Sequence, residues 1–266
     1  RSPRRRRPPS SPAIPPSSSS TRPPLAHCPQ NSGLKSRTQE SPARSGARQP
    51  TARGHDQLCQ STRSRSHSLS DISTKRNQLR QLIRQRRQAL SPALQHQAAI
   101  DLVQQFSNDP QLTQMQHIAL YLSNDGELDT RPLIQALWQQ GKSIYLPILH
   151  PHKPGFLVFQ QYRFDTPMTQ NKFGIAEPKP DVSAIILPAQ LDIIFMPLVA
   201  FDDQGHRLGM GGGFYDRTLA SLPQGCQKPL LIGLAHQCQQ VDTVPAEAWD
   251  VPLPRVLTPY KLWSFR

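Results

Sequence analysis

The chain has 266 residues, with 31 Lys+Arg against 18 Asp+Glu, a formal net charge of +13 and 36% hydrophobic residues. No run approaches the roughly 18 to 20 consecutive apolar residues of a membrane helix, and the opening Arg-Ser-Pro-Arg-Arg-Arg-Arg lacks the apolar core of a secretory signal. Membrane and secreted classes are therefore excluded at this level, and a soluble cytoplasmic protein is expected.

The charge is unevenly spread. Residues 1–74 hold 13 basic and 3 acidic residues, 11 Pro and 17 Ser, and none of the Phe, Trp or Tyr of the chain. Such a segment cannot offset its ordering entropy by burial, so a disordered basic Arg/Ser/Pro-rich tail is expected over 1–74, with one α/β domain over 75–266. Two readings of the tail compete. A basic arm would bind phosphate backbones without base preference. Alternatively, the tail has no dedicated role or is foreign to the natural polypeptide. The second is favoured, because no aromatic side chain offers a stacking surface for bases. Position 1 is Arg and the first methionine is Met115, which points to a fragment or to a start assigned too far upstream. Cys28, Cys59, Cys226 and Cys238 form no CxxC pair, so free thiols are expected rather than a disulfide framework or a zinc site.

From Lys75 the pattern becomes helical. Leu79, Leu82, Ile83 and Leu90 recur at helical spacing, while Arg76, Arg80, Arg84, Arg86 and Arg87 fill the other faces. Ser91-Pro92 predicts a cap and first turn for a second helix to about Phe106. His117 to Leu122 predicts a strand broken by Asn124-Asp125-Gly126, Thr130 to Gln140 a helix closed at Gly141, and Ser143 to Leu146 the next strand, together a βαβ unit. Phe156 to Phe164 alternates like an exposed or antiparallel strand, and Lys172 to Pro180 reads as a loop. The nearly continuous hydrophobes of Leu191 to Met196, and again Leu230 to Leu234, suit parallel strands buried on both faces. Between them lie a glycine-rich loop and a helix from about Phe214 to Leu222. The expected architecture is a three-layer α/β/α domain with an open, mostly parallel sheet and ligands at the carboxyl ends of its strands.

The informative segment is Arg207-Leu-Gly-Met-Gly-Gly-Gly-Phe-Tyr-Asp-Arg217. Gly209, Gly211, Gly212 and Gly213 leave main-chain N–H groups uncovered and permit positive φ, as a phosphate cradle needs. The following helix adds its positive end. Arg207 and Arg217 can neutralise phosphate oxygens. A carboxylate at Asp216 would repel phosphate unless Mg²⁺ bridged them. The spacing fits neither GxxxxGK[ST] nor GxGxxG. A simple strand-to-helix turn is the competing reading; the neighbouring Arg207, Tyr215, Asp216 and Arg217 favour phosphate binding.

This run, with DIIFMPLVAFD before it and IGLAHQCQ and WDVPLPRVLT after it, resembles the 5-formyltetrahydrofolate cyclo-ligase family, the methenyltetrahydrofolate synthetases. RNQLR from Arg76 to Arg80 ahead of RQRRQAL, YLSNDGELDT from Tyr121 to Thr130, and FGIAEP from Phe173 to Pro178 fall in matching order. The resemblance covers about residues 75 to 260. It implies an enzyme of one-carbon metabolism that uses Mg²⁺ and ATP to convert 5-formyltetrahydrofolate to 5,10-methenyltetrahydrofolate, releasing ADP and phosphate. Carried over by motif, it implies ATP phosphates held by Arg207, Gly209, Met210, Gly211, Gly212, Gly213, Phe214, Tyr215 and Asp216, with Arg76 and Arg80 reaching from the first helix. It implies Mg²⁺ on Asp216 and Asp250, folate beside Leu122, Glu127 and Tyr215, and Arg207, Arg217 and Tyr215 as the catalytic set. Bland readings stand beside these: Arg76 and Arg80 as a solvated helix face, Asp250 as a turn former, Glu127 as a helix-start residue. Some family members carry Lys at the Arg76 and Gly212 positions and an aromatic or basic residue at Met210, so the cation that stabilises the transferred phosphoryl group is left open. His206 and His236 read as ordinary hydrogen-bonding residues, Cys226 and Cys238 as non-nucleophiles, and Trp138 and Trp249 as packing residues. A monomer without membrane contact is expected, meeting nucleic acid only nonspecifically through the tail; a nucleic-acid-binding protein with the α/β domain as scaffold is the rival function.

Overall fold

The computed structural model describes residues 55–222 and 229–265, with side chains from Asp71 onward; the expected disorder of residues 1–54 and the thiol of Cys226 lie outside them. The helices are α1 (His55–Gln88), α2 (Pro92–Ser107), α3 (Pro110–Thr113), α4 (Arg131–Gln139) and α5 (Phe214–Ala220). The strands are β1 (His117–Ala119), β2 (Ser143–Leu149), β3 (Leu157–Tyr162), β4 (Met168–Gln170), β5 (Ala176–Pro178), β6 (Ile185–Ile186), β7 (Ile193–Pro197), β8 (Ala200–Phe201), β9 (Arg207–Leu208), β10 (Leu230–Leu234), β11 (Arg255–Leu257) and β12 (Leu262–Ser264).

Eight strands form one sheet in the order β12-β11-β10-β7-β1-β2-β3-β6. The centre is parallel: β1 pairs with β2 and β7, and β10 with β7 and β11. The margins are antiparallel, with β3 against β2, β6 against β3 and β12 against β11. As expected, β1, α4 and β2 make a βαβ unit, and Ile193, Ile194, Phe195 and Met196 are fully buried. One face of the sheet packs under α2, α3 and α4 through Leu102, Phe106, Leu112, Leu133 and Leu137. The other face packs Ala119, Ile194 and Met196 with Leu219 and Tyr215 of α5. Three layers result, because strands apolar on both sides need cover on both.

Several local expectations differ. The first helix starts at His55 rather than Lys75, since no Pro or Gly follows Gly54 to stop it. The strand predicted over His117 to Leu122 ends at Ala119. The predicted loop Lys172 to Pro180 contains β5, which pairs with β4 in a separate hairpin. The apolar stripe of α1 is also different: Ile83 is buried with Leu79 beside it, Leu82 is exposed, and Arg87 is fully buried. Residues 79, 83 and 87 follow one another at four-residue spacing, so Arg87 continues the inward row instead of a solvated face.

Candidate active site

The carboxyl ends of β1, β2 and β7 open into a cavity of about 1330 Å³. Its walls include Arg76, Arg80, Leu122, Glu127, Phe173, Glu177, every residue from Gly209 to Arg217, and Asp250, so five separated sequence motifs meet there.

One wall is built on the glycine loop. Gly211 (φ 98°) and Gly213 (φ 60°) use the left-handed conformation, and a Cβ on Gly213 would lie 2.8 Å from Arg217 Nη1. No main-chain N–H from Gly209 to Gly213 donates a hydrogen bond within the described residues. Five free donors on one turn are what an anion cradle requires. The seven residues of α5 add little dipole to it, so the expected help from the helix is smaller than the loop's own.

Around this loop every cation already has a partner. Arg207 is 5% exposed and ion-paired to Asp216, with its Nε unpartnered. Arg76 Nη1 and Nη2 donate to Asp250 at 2.6 and 3.2 Å, and Arg76 Nη1 also reaches Pro245 O at 2.8 Å. Burial pushes the Asp250 carboxyl up, but Arg76 and the Glu247 N–H outweigh it and hold the pKa below its ordinary value. Asp250 also accepts that Glu247 N–H at 2.9 Å, so it forms the turn, as one reading of the sequence had it, and pairs with Arg76 as well. Arg80 Nε donates to Gly209 O at 2.9 Å; burial, and Arg76 beside it, lower its pKa. Neither arginine is a merely solvated face. Arg217 is committed to main-chain carbonyls, Gly155 O at 3.0 Å and Gly212 O, tying the β2–β3 hairpin to the loop.

The opposite wall is buried. Burial raises the Glu127 carboxyl to a pKa of about 7, against the pull of Arg87 and the Asn124 N–H. That amide donates to Glu127 Oε2 at 3.1 Å, and Arg87 Nη1 stands 4.0 Å from Oε1. Glu127 thus lines the cavity rather than capping α4, whose N-cap is Thr130. Burial, then the negative charge of Glu127, raises the Tyr215 hydroxyl; the same two causes raise Tyr121. Burial, then Arg87, lowers His236 to about 4, so its ring is neutral here. Tyr121 Oη, His236 Nε2 and Arg87 Nη1 are buried without a hydrogen-bond partner. His206 lies in a turn against Asp202, outside the cavity lining, and burial raises the Cys238 thiol, away from thiolate chemistry.

Trp138 packs on Tyr162 at 5.1 Å, as expected. Trp249 does not pack: it is 65% exposed and lines the cavity, with Met210 and Phe173 also exposed at its edge. Its expected packing role fails because Glu247 to Asp250 is a turn at the mouth of the cavity, with no layer above it. Sequence reasoning missed three further features. Arg87 and Asp125 are bonded to each other; the four-residue row on α1 was the available signal. Glu177, buried in the cavity wall, accepts from Asn171 Nδ2 at 3.1 Å and Leu149 N at 3.3 Å. The hairpin that carries it had no periodic signal.

The residues fit a magnesium ion only as part of a larger complex. Among the described residues no group of three or more His, Cys, Asp or Glu could hold a metal. Asp216 and Asp250 are nevertheless joined, since Val251 N donates to Asp216 Oδ1 at 3.3 Å. Two carboxylates completed by phosphate and water oxygens match magnesium's habits, whereas a protein-only cage would not. No helix among the described residues is long and apolar enough to cross a membrane.

The family model for the 5-formyltetrahydrofolate cyclo-ligase family matches residues 72–259. A 5-formyltetrahydrofolate cyclo-ligase of Haemophilus influenzae is 51% identical over 183 residues, 69% of this chain and 97% of that protein. The cyclo-ligase of Escherichia coli K12 is 46% identical over 184 residues, 69% of this chain and 100% of that protein. Among solved structures, Aquifex aeolicus 5,10-methenyltetrahydrofolate synthetase superposes with a TM-score of 0.62 at 27% identity, covering 72% of this chain and 93% of that one. A 5,10-methenyltetrahydrofolate synthetase from Mycoplasma pneumoniae follows with a TM-score of 0.54 at 26% identity, covering 69% and 98%. None of these matches favours a nucleic-acid-binding scaffold. The motifs that meet in one cavity, the match over residues 72–259 and the close relatives together place this chain in the 5-formyltetrahydrofolate cyclo-ligase family.

Proposed function

We propose that the chain cyclises 5-formyltetrahydrofolate to 5,10-methenyltetrahydrofolate at the expense of ATP in the cytoplasm. The observation that carries this reading is the meeting of a turn with five free main-chain N–H groups and the largely buried Glu127 carboxylate in one cavity of about 1330 Å³. A pocket for a single small ligand measures about 300–1,000 Å³, so there is room for a nucleotide and a folate together.

In this reading the γ-phosphoryl group passes from ATP to the formyl oxygen on N5. N10 then attacks the formyl carbon, a proton leaves N10, the carbon–oxygen bond breaks and phosphate departs. The substrate supplies acceptor and nucleophile, which leaves the protein positioning and charge stabilisation. The free N–H groups of Gly209 to Gly213 hold phosphate oxygens, with Met210 and Phe214 beside them. Arg207 and the first-helix residues Arg76 and Arg80 supply positive charge; Arg207, buried beside the loop, is the best-placed catalytic cation. Arg217 braces the loop by its carbonyl contacts and lies beside the phosphates. Asp216 and Asp250 would hold Mg²⁺, which when bound offsets the charge of the phosphates. Their present arginine partners are freed for phosphate in that state. Glu127, Leu122 and Tyr215 form the folate wall.

Incubating the protein with Mg²⁺, ATP and 5-formyltetrahydrofolate should yield ADP and methenyltetrahydrofolate in equal amounts. ADP release that is independent of added folate, or no methenyl product from folded protein, would overturn the proposal.

A further inference from the structure

The loop that carries Glu127 turns sharply at Asp125-Gly126, a pair that takes consecutive left-handed conformations readily. Asp125 (φ 51°) and Gly126 (φ 70°) are consecutive left-handed residues, and Asp125 is the non-glycine residue with positive φ among those described. The last turns of α1 fix this turn in place through hydrogen bonds. Arg84 Nε donates to Asp125 Oδ2 at 2.6 Å, and Gln88 donates to Oδ1. Arg87 donates twice, from Nε to the Asp125 carbonyl and from Nη2 to Oδ2, each at 3.0 Å.

Arg87 has no solvent exposure, and its remaining nitrogen, Nη1, has no hydrogen-bond partner. That nitrogen is directed at Glu127, 4.0 Å from Oε1. A buried guanidinium left partly unsatisfied costs free energy, which a role in fold stability alone does not explain. An apolar side chain would fill the same inward position of α1 more cheaply.

We propose that Asp125 and the buried Arg87 form a clamp that holds Glu127 in its cavity-facing position and favours its ionised form, so that α1 sets folate affinity without touching the folate. Both are positioning residues. The inference rests on the reading of Glu127 as a folate-binding carboxylate, and it adds the means by which that carboxylate is held. The groups facing Glu127 are Arg87 from α1, Tyr121 after β1, Tyr215 from α5, His236 after β10 and Asp125 on its own loop. Of these, Arg87 is the cation that opposes the effect of burial on Glu127.

The test compares Arg87→Met, Arg87→Lys, Asp125→Asn, Glu127→Gln and the double variant Arg87→Met/Glu127→Gln as full-length proteins. The Glu127 carboxyl is titrated by ¹³C NMR without ligand, and dissociation constants for 5-formyltetrahydrofolate and for ATP are measured by calorimetry. In Arg87→Met the Glu127 pKa should rise by about one pH unit or more. Folate affinity should fall about tenfold while ATP affinity stays within about twofold, and the double variant should bind folate no more weakly than Glu127→Gln. Asp125→Asn should shift folate affinity the same way, and Arg87→Lys should restore the titration more than the affinity. An unmoved Glu127 titration, folate and ATP affinities that fall together, or additive single-variant losses would overturn the clamp. If Arg87→Met does not fold, Arg87→Lys and Asp125→Asn are judged by the same readouts. A shifted titration together with wild-type folate binding by Glu127→Gln would instead overturn the folate role of Glu127, and with it the clamp's link to affinity.

Discussion

The two walls of the cavity compensate their charges in different ways. On the glycine side, Asp216 and Asp250 hold Arg207 and Arg76, and the loop amides wait without acceptors. On the Glu127 side the carboxylate is largely buried, its cation stands 4.0 Å away, and a tyrosine, a histidine and an arginine each keep an unsatisfied atom. The first wall can exchange protein partners for phosphate and metal at little cost, because each new bond replaces an old one. The second is preorganised: its desolvation is met during folding, before a ligand arrives. The wall proposed for nucleotide, which trades partners, and the wall proposed for folate, which waits in place, should respond differently to substitution.

The largest effect should come from breaking the exchange wall. Asp216→Asn or Arg207→Ala is expected to lower turnover by about 10²–10³-fold, as loss of a transition-state charge contact does. Folate-dependent ADP release measures it, with circular dichroism to show that the fold persists. Near-normal turnover in both variants would remove the glycine wall from the chemistry.

Glu127→Gln should act on folate rather than nucleotide, raising the folate KM about tenfold or more with the ATP KM little changed. It should also change the pH dependence of stability. The folded Glu127 pKa is raised from 4.5 to about 7, so its favourable contribution is complete below about pH 4.5 and is lost as pH rises through 7. The Gln variant should therefore match wild type at low pH and gain stability above pH 7, by about 3 kcal/mol at most. Denaturant titrations at pH 5 and pH 8 check this; an equal difference at both would mean that Glu127 is not desolvated in the folded state.

Gly213→Ala sharpens the contrast from the other side. A Cβ there meets Arg217 Nη1 at 2.8 Å and the backbone is left-handed, so a loss of about 1–2 kcal/mol is expected, with the ATP KM raised and the folate KM unaffected. Steady-state kinetics in both substrates would expose a failure. The smallest change should follow removal of residues 1–50: activity within about twofold of the full chain, since a segment unable to bury apolar surface is not expected to shape the cavity. A large loss of activity would instead tie that segment to the enzyme.

Legibility followed locality. The glycine loop could be read because its chemistry lies in consecutive residues, and the βαβ unit because hydrophobic period and turn residues agree there. Asp125 looked like half of an Asn-Asp-Gly break; its bonds to Arg84, Arg87 and Gln88 come from nearly 40 residues away. Trp249 looked like a packing residue because an isolated tryptophan does not announce which side of a cavity mouth it occupies. The β4–β5 hairpin was invisible because neither strand is long enough to show a period of two.

What the sequence determined by itself is the layered α/β core and the glycine-rich turn between strand and helix, because each depends on short-range patterns: strand hydrophobicity, helix caps and the conformational freedom of consecutive glycines. Tertiary structure alone decided which arginine is solvated and which is buried, which carboxylate keeps an arginine partner, and where Glu127 is held. Those outcomes turn on burial and on Coulomb partners distant in the chain, and neither quantity exists until the elements have packed.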